Sequence, residues 1–82
     1  MDFLLKGVKL VVELKKTRPG LGDKEVGEEL LVDIAKYQKH PDCETLVCMV
    51  YDPDSMLKNP KGLESDLSTK HEKLSVLVIV VP

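Results

Sequence analysis

Charged side chains inside an apolar strand limit the structures that this chain can adopt more than any other feature of its sequence. Glu13 and Lys15 alternate with apolar residues in the segment 11–15, and Asp2 opens a second short apolar segment before it. A charge at a buried or half-buried position is costly unless an opposite charge or a metal ion compensates it. The pattern therefore points to a site at this strand.

Short apolar runs and helical periodicity alternate along the rest of the chain. We predict strands over residues 2–5, 8–16, 45–51 and 75–81, and helices over residues 24–39 and 60–68. Lys6-Gly7 is the expected tight turn, Asp23 the expected cap of the first helix, and Asn59-Pro60 the expected start of the second. The last two strands have almost no polar residues, which is typical of strands covered on both faces.

The order of these elements, β-β-α-β-α-β, indicates an α/β fold with a mixed sheet. The first two strands form a hairpin, whereas strands separated by a helix become parallel neighbours. The chain has 82 residues, 43% of them hydrophobic and 32% charged, which fits one small soluble domain.

Charge and hydropathy limit the class of partner. The net charge is −2, but residues 1–24 carry six Lys or Arg against three acids, a local +3, which suits an anionic ligand at one edge; an ordinary solvated surface is the simpler alternative. The longest apolar run, 76–81, is too short to span a bilayer, and the first residues lack the pattern of a signal peptide. We expect no membrane association and a cytoplasmic location.

The geometry of the first hairpin decides whether the charges meet. With a two-residue turn, Leu5 faces Val8, and Asp2 and Glu13 become diagonal neighbours on one face, about 7–8 Å apart. A four-residue turn places Asp2 directly opposite Glu13 and leaves the conclusion intact. A three-residue loop would put the two acids on opposite faces. Lys15 shares the face of Glu13 in every case, because side chains alternate with period two.

Two acids at that distance can bind one divalent cation. Carboxylate oxygens suit Mg²⁺ or Mn²⁺, with the backbone carbonyl of Leu14 as a third ligand. Lys15 would then orient or help deprotonate a water, or stabilise charge on a phosphate. The alternative is an exposed Glu13–Lys15 ion pair on a solvated sheet with a frayed terminus at Asp2.

The hairpin also resembles a known catalytic core. Asp2-Phe3-Leu4-Leu5 followed by Val11-Val12-Glu13-Leu14-Lys15-Lys16-Thr17-Arg18 is similar to the core of the PD-(D/E)xK nuclease superfamily, which has the restriction-endonuclease-like fold. The segments 27–37, 40–42, 51–53 and 59–68 look like restriction-type endonuclease domains, so the likeness covers nearly the whole chain. It departs from the superfamily pattern in that a helix and a strand before the motif Asp are lacking and Met1 precedes that Asp.

The resemblance implies roles for individual residues. Asp2 and Glu13 would be the metal-binding acids, Lys15 the catalytic lysine, and Mg²⁺ or Mn²⁺ the cofactor. The helix after the Glu-x-Lys strand often supplies a further polar residue in this superfamily, and Lys24, Glu28 and Glu29 are the candidates. Residues 1–82 would form one nuclease-like domain, partial in that its first helix and strand are lacking.

The resemblance also implies partners. The substrate would be DNA, with Lys16, Arg18 and Lys24 as phosphate contacts around the loop after the second strand. Missing elements leave a sheet edge unpaired and an apolar face uncovered, which predicts a homodimer or a need for the rest of a longer protein. The function is thus expected to be metal-dependent, restriction-type hydrolysis of DNA. The alternative is a catalytically inactive nuclease-fold module for DNA binding, protein binding or oligomerisation.

Overall fold

The computed structural model describes the backbone of residues 2–5 and the whole of residues 9–68, 70–71 and 73–82. The elements in chain order are β1 (Asp2–Leu5), β2 (Leu10–Lys16), α1 (Asp23–Gln38), β3 (Thr45–Tyr51), α2 (Pro60–Leu67), β4 (Lys70–His71) and β5 (Leu74–Val81). The mixed α/β fold is confirmed. The two-residue strand β4 is an addition, since no strand is predicted between residues 68 and 75.

The strands form one mixed sheet in the order β1-β2-β3-β5-β4. β1 pairs antiparallel with β2, and β4 pairs antiparallel with β5. β3 lies between β2 and β5 and is parallel to both, which confirms the crossover connections expected of strands joined by helices. The centre of the sheet is therefore parallel and its two edges are antiparallel.

The hairpin register differs from the one that a two-residue turn produces. Leu5 pairs with Leu10 and not with Val8, so four residues, 6–9, connect β1 and β2. The predicted Lys6-Gly7 turn lies outside the described residues. This register is the four-residue alternative, and it places the Cα atoms of Asp2 and Glu13 at directly opposed positions.

Both helices cover one face of the sheet. α1 contributes Val26, Leu30, Ile34 and Tyr37 to the core, and all four are buried. These side chains form one cluster with every second residue of the central strands; the strand members are Val11, Leu46, Cys48, Val50, Leu74, Val76 and Val78. Leu31, which follows Leu30 in α1, is 50% exposed, because it lies off the helical face that contacts the sheet.

The other face of the sheet is open among the described residues. Leu14, Tyr51 and Leu77 are exposed there, and alternate residues of β3 are half-buried. The expectation that β3 and β5 are covered on both faces is therefore wrong. Their continuous apolar sequence reflects an uncovered apolar face as well as a core.

The starts of the helices also refine the sequence prediction. Gly22, not Asp23, precedes α1 as its cap residue. The Asp23 carboxylate instead accepts hydrogen bonds from the backbone N–H groups of Lys58 and Asn59, at 2.8 Å each, which lowers the pKa of Asp23 and fixes the loop before α2. The side chain of Asn59 caps α2 through the N–H of Gly62, as predicted.

Candidate active site

Glu13 and Lys15 lie on the helix-covered face of β2. They alternate with Val12 and Leu14 and share a side with the buried Val11, so the prediction that both charges lie on one face is confirmed. Glu13 is only 8% exposed. The alternative of a solvated surface pair is therefore wrong, because these charges lie between the sheet and α1.

The amine of Lys15 is surrounded by carboxylates. Its Nζ lies 3.1 Å from Glu29 Oε1, 3.2 Å from Asp33 Oδ2 and 3.9 Å from Glu13 Oε1. Burial alone lowers the pKa of Lys15, but the hydrogen bond that Lys15 donates to Glu29 and the charge attraction of Glu29 and Asp33 outweigh it. The pKa of Lys15 is therefore raised above its ordinary value, and Lys15 is a cation at neutral pH.

α1 supplies the second half of this cluster. Glu29 and Asp33 are one helical turn apart, so both side chains point toward the same part of β2. Asp33 Oδ2 is buried, and within the described part of the chain it makes no hydrogen bond of regular geometry; its contact with Lys15 is an ion pair. Asp33 was not among the site residues predicted from the sequence. The signal that could have found it is the spacing of two acids, i and i+4, beside the apolar stripe.

The structure separates the two acids that the sequence analysis named on α1. Glu29 contacts Lys15, whereas Glu28 lies on the outer surface 4.0 Å from Lys24 Nζ. The side chains of Glu28 and Lys24 are 65% and 85% exposed. Of the two candidates, only Glu29 joins the cluster.

The three predicted phosphate contacts lie apart from one another. Arg18 Nη2 is 3.6 Å from Glu29 Oε2, so Arg18 borders the cluster. Lys16 is on the open face of the sheet, with its amine 5.9 Å from the centre of the Tyr51 ring. Lys24 is on the outside of α1. Of these three residues, Arg18 alone lies beside the cluster that contains Lys15.

A buried polar contact fixes the strand end that carries Lys15 and Arg18. The Thr17 hydroxyl donates to Asp52 Oδ1 at 2.8 Å, and the Thr17 N–H donates to the carbonyl of Tyr51. Asp52 also accepts from the N–H groups of Met56 and Leu57. These bonds, that of Leu57 foremost, lower the pKa of Asp52. Asp52 was not predicted as a site residue from the sequence, but it joins the carboxyl ends of β2 and β3.

The structure describes only some of the atoms of the proposed metal ligands. Asp2 lies opposite Glu13 in the β1–β2 ladder, but its side chain is outside the described residues. Within residues 9–68, 70–71 and 73–82, no three His, Cys, Asp or Glu side chains form a group that could hold a metal ion. Oxygen donors from two acids and a carbonyl fit Mg²⁺ or Mn²⁺ by their chemistry. The set of Asp2, Glu13 and the Leu14 carbonyl therefore stays a prediction.

Comparison with known proteins identifies one family. The family model for DpnII-MboI restriction endonucleases (REase_DpnII-MboI) matches residues 1–82, the whole of the sequence. No curated protein and no solved structure gives a significant match. Among the described residues, neither helix has the length and apolar character needed to cross a membrane.

Proposed function

The chain belongs to the DpnII-MboI restriction endonuclease family, and from that premise we propose that it forms a metal-dependent endonuclease domain that hydrolyses phosphodiester bonds of DNA. The observation that carries this proposal is the cluster of Glu13 and Lys15 under α1. A buried acid and a half-buried lysine on one strand, next to two further acids, are costly to fold and are typical of a functional site.

We assign the metal to Asp2, Glu13 and the backbone carbonyl of Leu14. Bound there, Mg²⁺ or Mn²⁺ would supply Lewis-acid activation of water and of a phosphate oxygen. Lys15 would orient that water or stabilise the negative charge that develops on the phosphate. Glu29 and Asp33 hold the Lys15 amine in place for this role.

The order of these residues supports membership of the PD-(D/E)xK superfamily. An acid on the first strand and Glu-x-Lys on the second are its motif residues, and here the two strands are paired in a register that opposes Asp2 and Glu13. The superfamily assignment is a proposal, since the family match by itself supports a restriction-endonuclease-like nuclease in general terms.

A nicking assay tests the proposal. Supercoiled plasmid is incubated with the protein and Mg²⁺ or Mn²⁺, beside the variants Glu13→Gln and Lys15→Met and the control Glu28→Gln. We expect nicking by the parent and the control, and a loss of about 10²-fold or more in the first two variants. Equal nicking by all four proteins would show that Glu13 and Lys15 do not form the active site.

A second candidate function is a module that binds DNA without cleaving it. The observation that favours it is the engagement of Lys15 and Arg18 by acids of the chain itself. Retention of a DNA duplex at two salt concentrations, with no nicking in either metal ion, would support this function, because phosphate contacts weaken steeply as salt rises.

Membership of the family makes DNA the partner. Assembly with a second copy of the chain, or with further parts of a longer protein, remains a prediction. Part of the β5 edge is already hydrogen-bonded and is therefore not available for pairing with another strand. Ser68 Oγ accepts from the N–H of Val78, and Glu64 Oε2 accepts from the N–H of Val80, each at 2.8 Å. We therefore place any strand pairing at the β1 edge. A cytoplasmic location is likewise still a prediction.

A further inference from the structure

Glu29 joins two cations through its two carboxylate oxygens. Oε1 lies 3.1 Å from the amine of Lys15, and Oε2 lies 3.6 Å from Nη2 of Arg18. A phosphodiester also has one negative charge and two free oxygens, and it is bound by Lys and Arg in the same charge-assisted manner. The Glu29 carboxylate thus lies where one phosphate group would fit between these two side chains.

We propose that Lys15 and Arg18 form a subsite for one DNA phosphate, and that the Glu29 carboxylate occupies this subsite until the phosphate replaces it. The inference rests on the proposed function, because it assumes that DNA approaches this side of the sheet. It goes further in naming the two residues that bind the phosphate and the side chain that leaves.

The exposure of the three side chains is suited to such an exchange. The Arg18 side chain is 64% exposed and that of Glu29 is 36% exposed, so both can rotate toward solvent, and ion pairs at such exposure hold weakly. The Lys15 side chain is only 15% exposed, and it keeps its second partner, Asp33, when Glu29 moves away. The amine therefore stays in position while the carboxylate is exchanged for a phosphate.

The neighbouring charges make Glu28→Gln a matched control. Glu28 precedes Glu29 on α1 and carries the same charge, but its contact is with the exposed Lys24. Both substitutions remove one negative charge from the same turn of the helix. Only Glu29→Gln removes the carboxylate that lies between Lys15 and Arg18.

The test measures binding of a short DNA duplex by fluorescence anisotropy, with EDTA present so that no cleavage occurs. We expect Glu29→Gln to bind the duplex about five- to tenfold more tightly than the parent, and Glu28→Gln to stay within about twofold of it, since surface pairs are worth little. Adding Arg18→Ala to Glu29→Gln should abolish the gain. Thermal unfolding of each variant checks that it is folded.

A second measurement uses the unaltered protein. Arg18 is the one arginine of the sequence, so its guanidinium NMR signal is unambiguous. We expect inorganic phosphate to shift this signal along a saturable curve, and chloride at equal ionic strength to leave it in place. Because this measurement of phosphate binding needs no substitution, it tests the subsite even if Glu29→Gln fails to fold.

The outcomes separate this inference from the proposed function. Equal or weaker duplex binding by Glu29→Gln relative to Glu28→Gln, or an Arg18 signal that phosphate does not shift, overturns the subsite and leaves the nicking result as it was. Nicking that is unaffected by Glu13→Gln and Lys15→Met overturns the proposed active site. No binding of DNA by any of the proteins, parent included, overturns both.

Discussion

The amine of Lys15 lies 3.2 Å from Oδ2 of Asp33, which joins β2 to the middle of α1 through two charges that are both largely buried. Neutralising Asp33 would leave Lys15 with Glu29 as its nearest acid and would release its amine from the middle of α1. The Lys15–Asp33 ion pair therefore contributes to the stability of the fold and also holds the Lys15 amine in position.

We predict that Asp33→Asn lowers nicking activity by about 10- to 100-fold, because a small displacement of a catalytic group is enough for a loss of that size. The variant should still bind DNA, because both cations of the phosphate subsite, Lys15 and Arg18, are retained. The measurement is the plasmid nicking rate beside duplex binding. Asp66→Asn, on the exposed side of α2, is the matched control, and an equal effect of the two variants would contradict a positioning role for Asp33.

The Glu-x-Lys strand shows how much of the site the sequence reveals. Alternation along a strand fixes which side chains share a face, so the pairing of Glu13 with Lys15 follows from period two alone. Glu29 was reached through a resemblance and Asp33 was missed. Which acid of a helix faces a given strand depends on how the helix is rotated against the sheet, and this sequence has acids on several sides of α1.

For the fold, the sequence predicted the elements but not which faces of the sheet are covered. Apolar runs, helical periodicity and the Asn59-Pro60 start of α2 located every long element, because these are local features of the sequence. The open face was not foreseen, since an apolar strand has the same sequence whether its second face is covered by protein or exposed. The hairpin register depended on the loop length, for which the sequence analysis kept several alternatives.

Leu30 and Leu31 offer a direct test of the orientation of α1. Leu30 is fully buried in the core and Leu31 is 50% exposed. We predict that Leu30→Ala lowers the free energy of unfolding by about 2–5 kcal/mol, and that Leu31→Ala changes it by about 1 kcal/mol or less. Chemical denaturation of both variants measures the difference. A larger loss for Leu31→Ala would mean that α1 packs with a different face toward the sheet.

The contacts of α2 with β5 predict the behaviour of the sheet edge. Ser68 and Glu64 are one helical turn apart and bond to the N–H groups of Val78 and Val80, two residues apart on the strand. We predict that Ser68→Ala costs about 1 kcal/mol and speeds hydrogen exchange at the Val78 amide. Amide exchange followed by NMR measures this.

Ser65→Ala is the control for that edge, because Ser65 is exposed on the same helix. If both serine variants exchange equally fast at Val78, the hydroxyl of Ser68 does not protect the strand. The variant Glu64→Leu with Ser68→Ala should also increase self-association in a concentration series, because unpaired strand edges recruit other chains.

Asp52 predicts an acid-sensitive step in stability. Its carboxylate accepts hydrogen bonds from Leu57 N, Met56 N and the Thr17 hydroxyl, and these bonds hold the pKa of the folded state below that of the unfolded chain. The stabilisation is therefore fully present above the unfolded pKa of about 3.9 and is lost as the pH falls through the lower folded value. Thermal midpoints measured from pH 7 down to pH 2 should fall below about pH 4 in the parent.

We expect Asp52→Asn to melt at a lower temperature than the parent at pH 7, because an amide has one acceptor oxygen where the carboxylate has two. The gap should narrow on acidification, since protonation removes the same interaction from the parent. Asp54→Asn, two residues further on an exposed turn, should retain the acid dependence of the parent. A constant gap between parent and Asp52→Asn at every pH would mean that the charge of Asp52 does not stabilise the loop that joins β3 to α2.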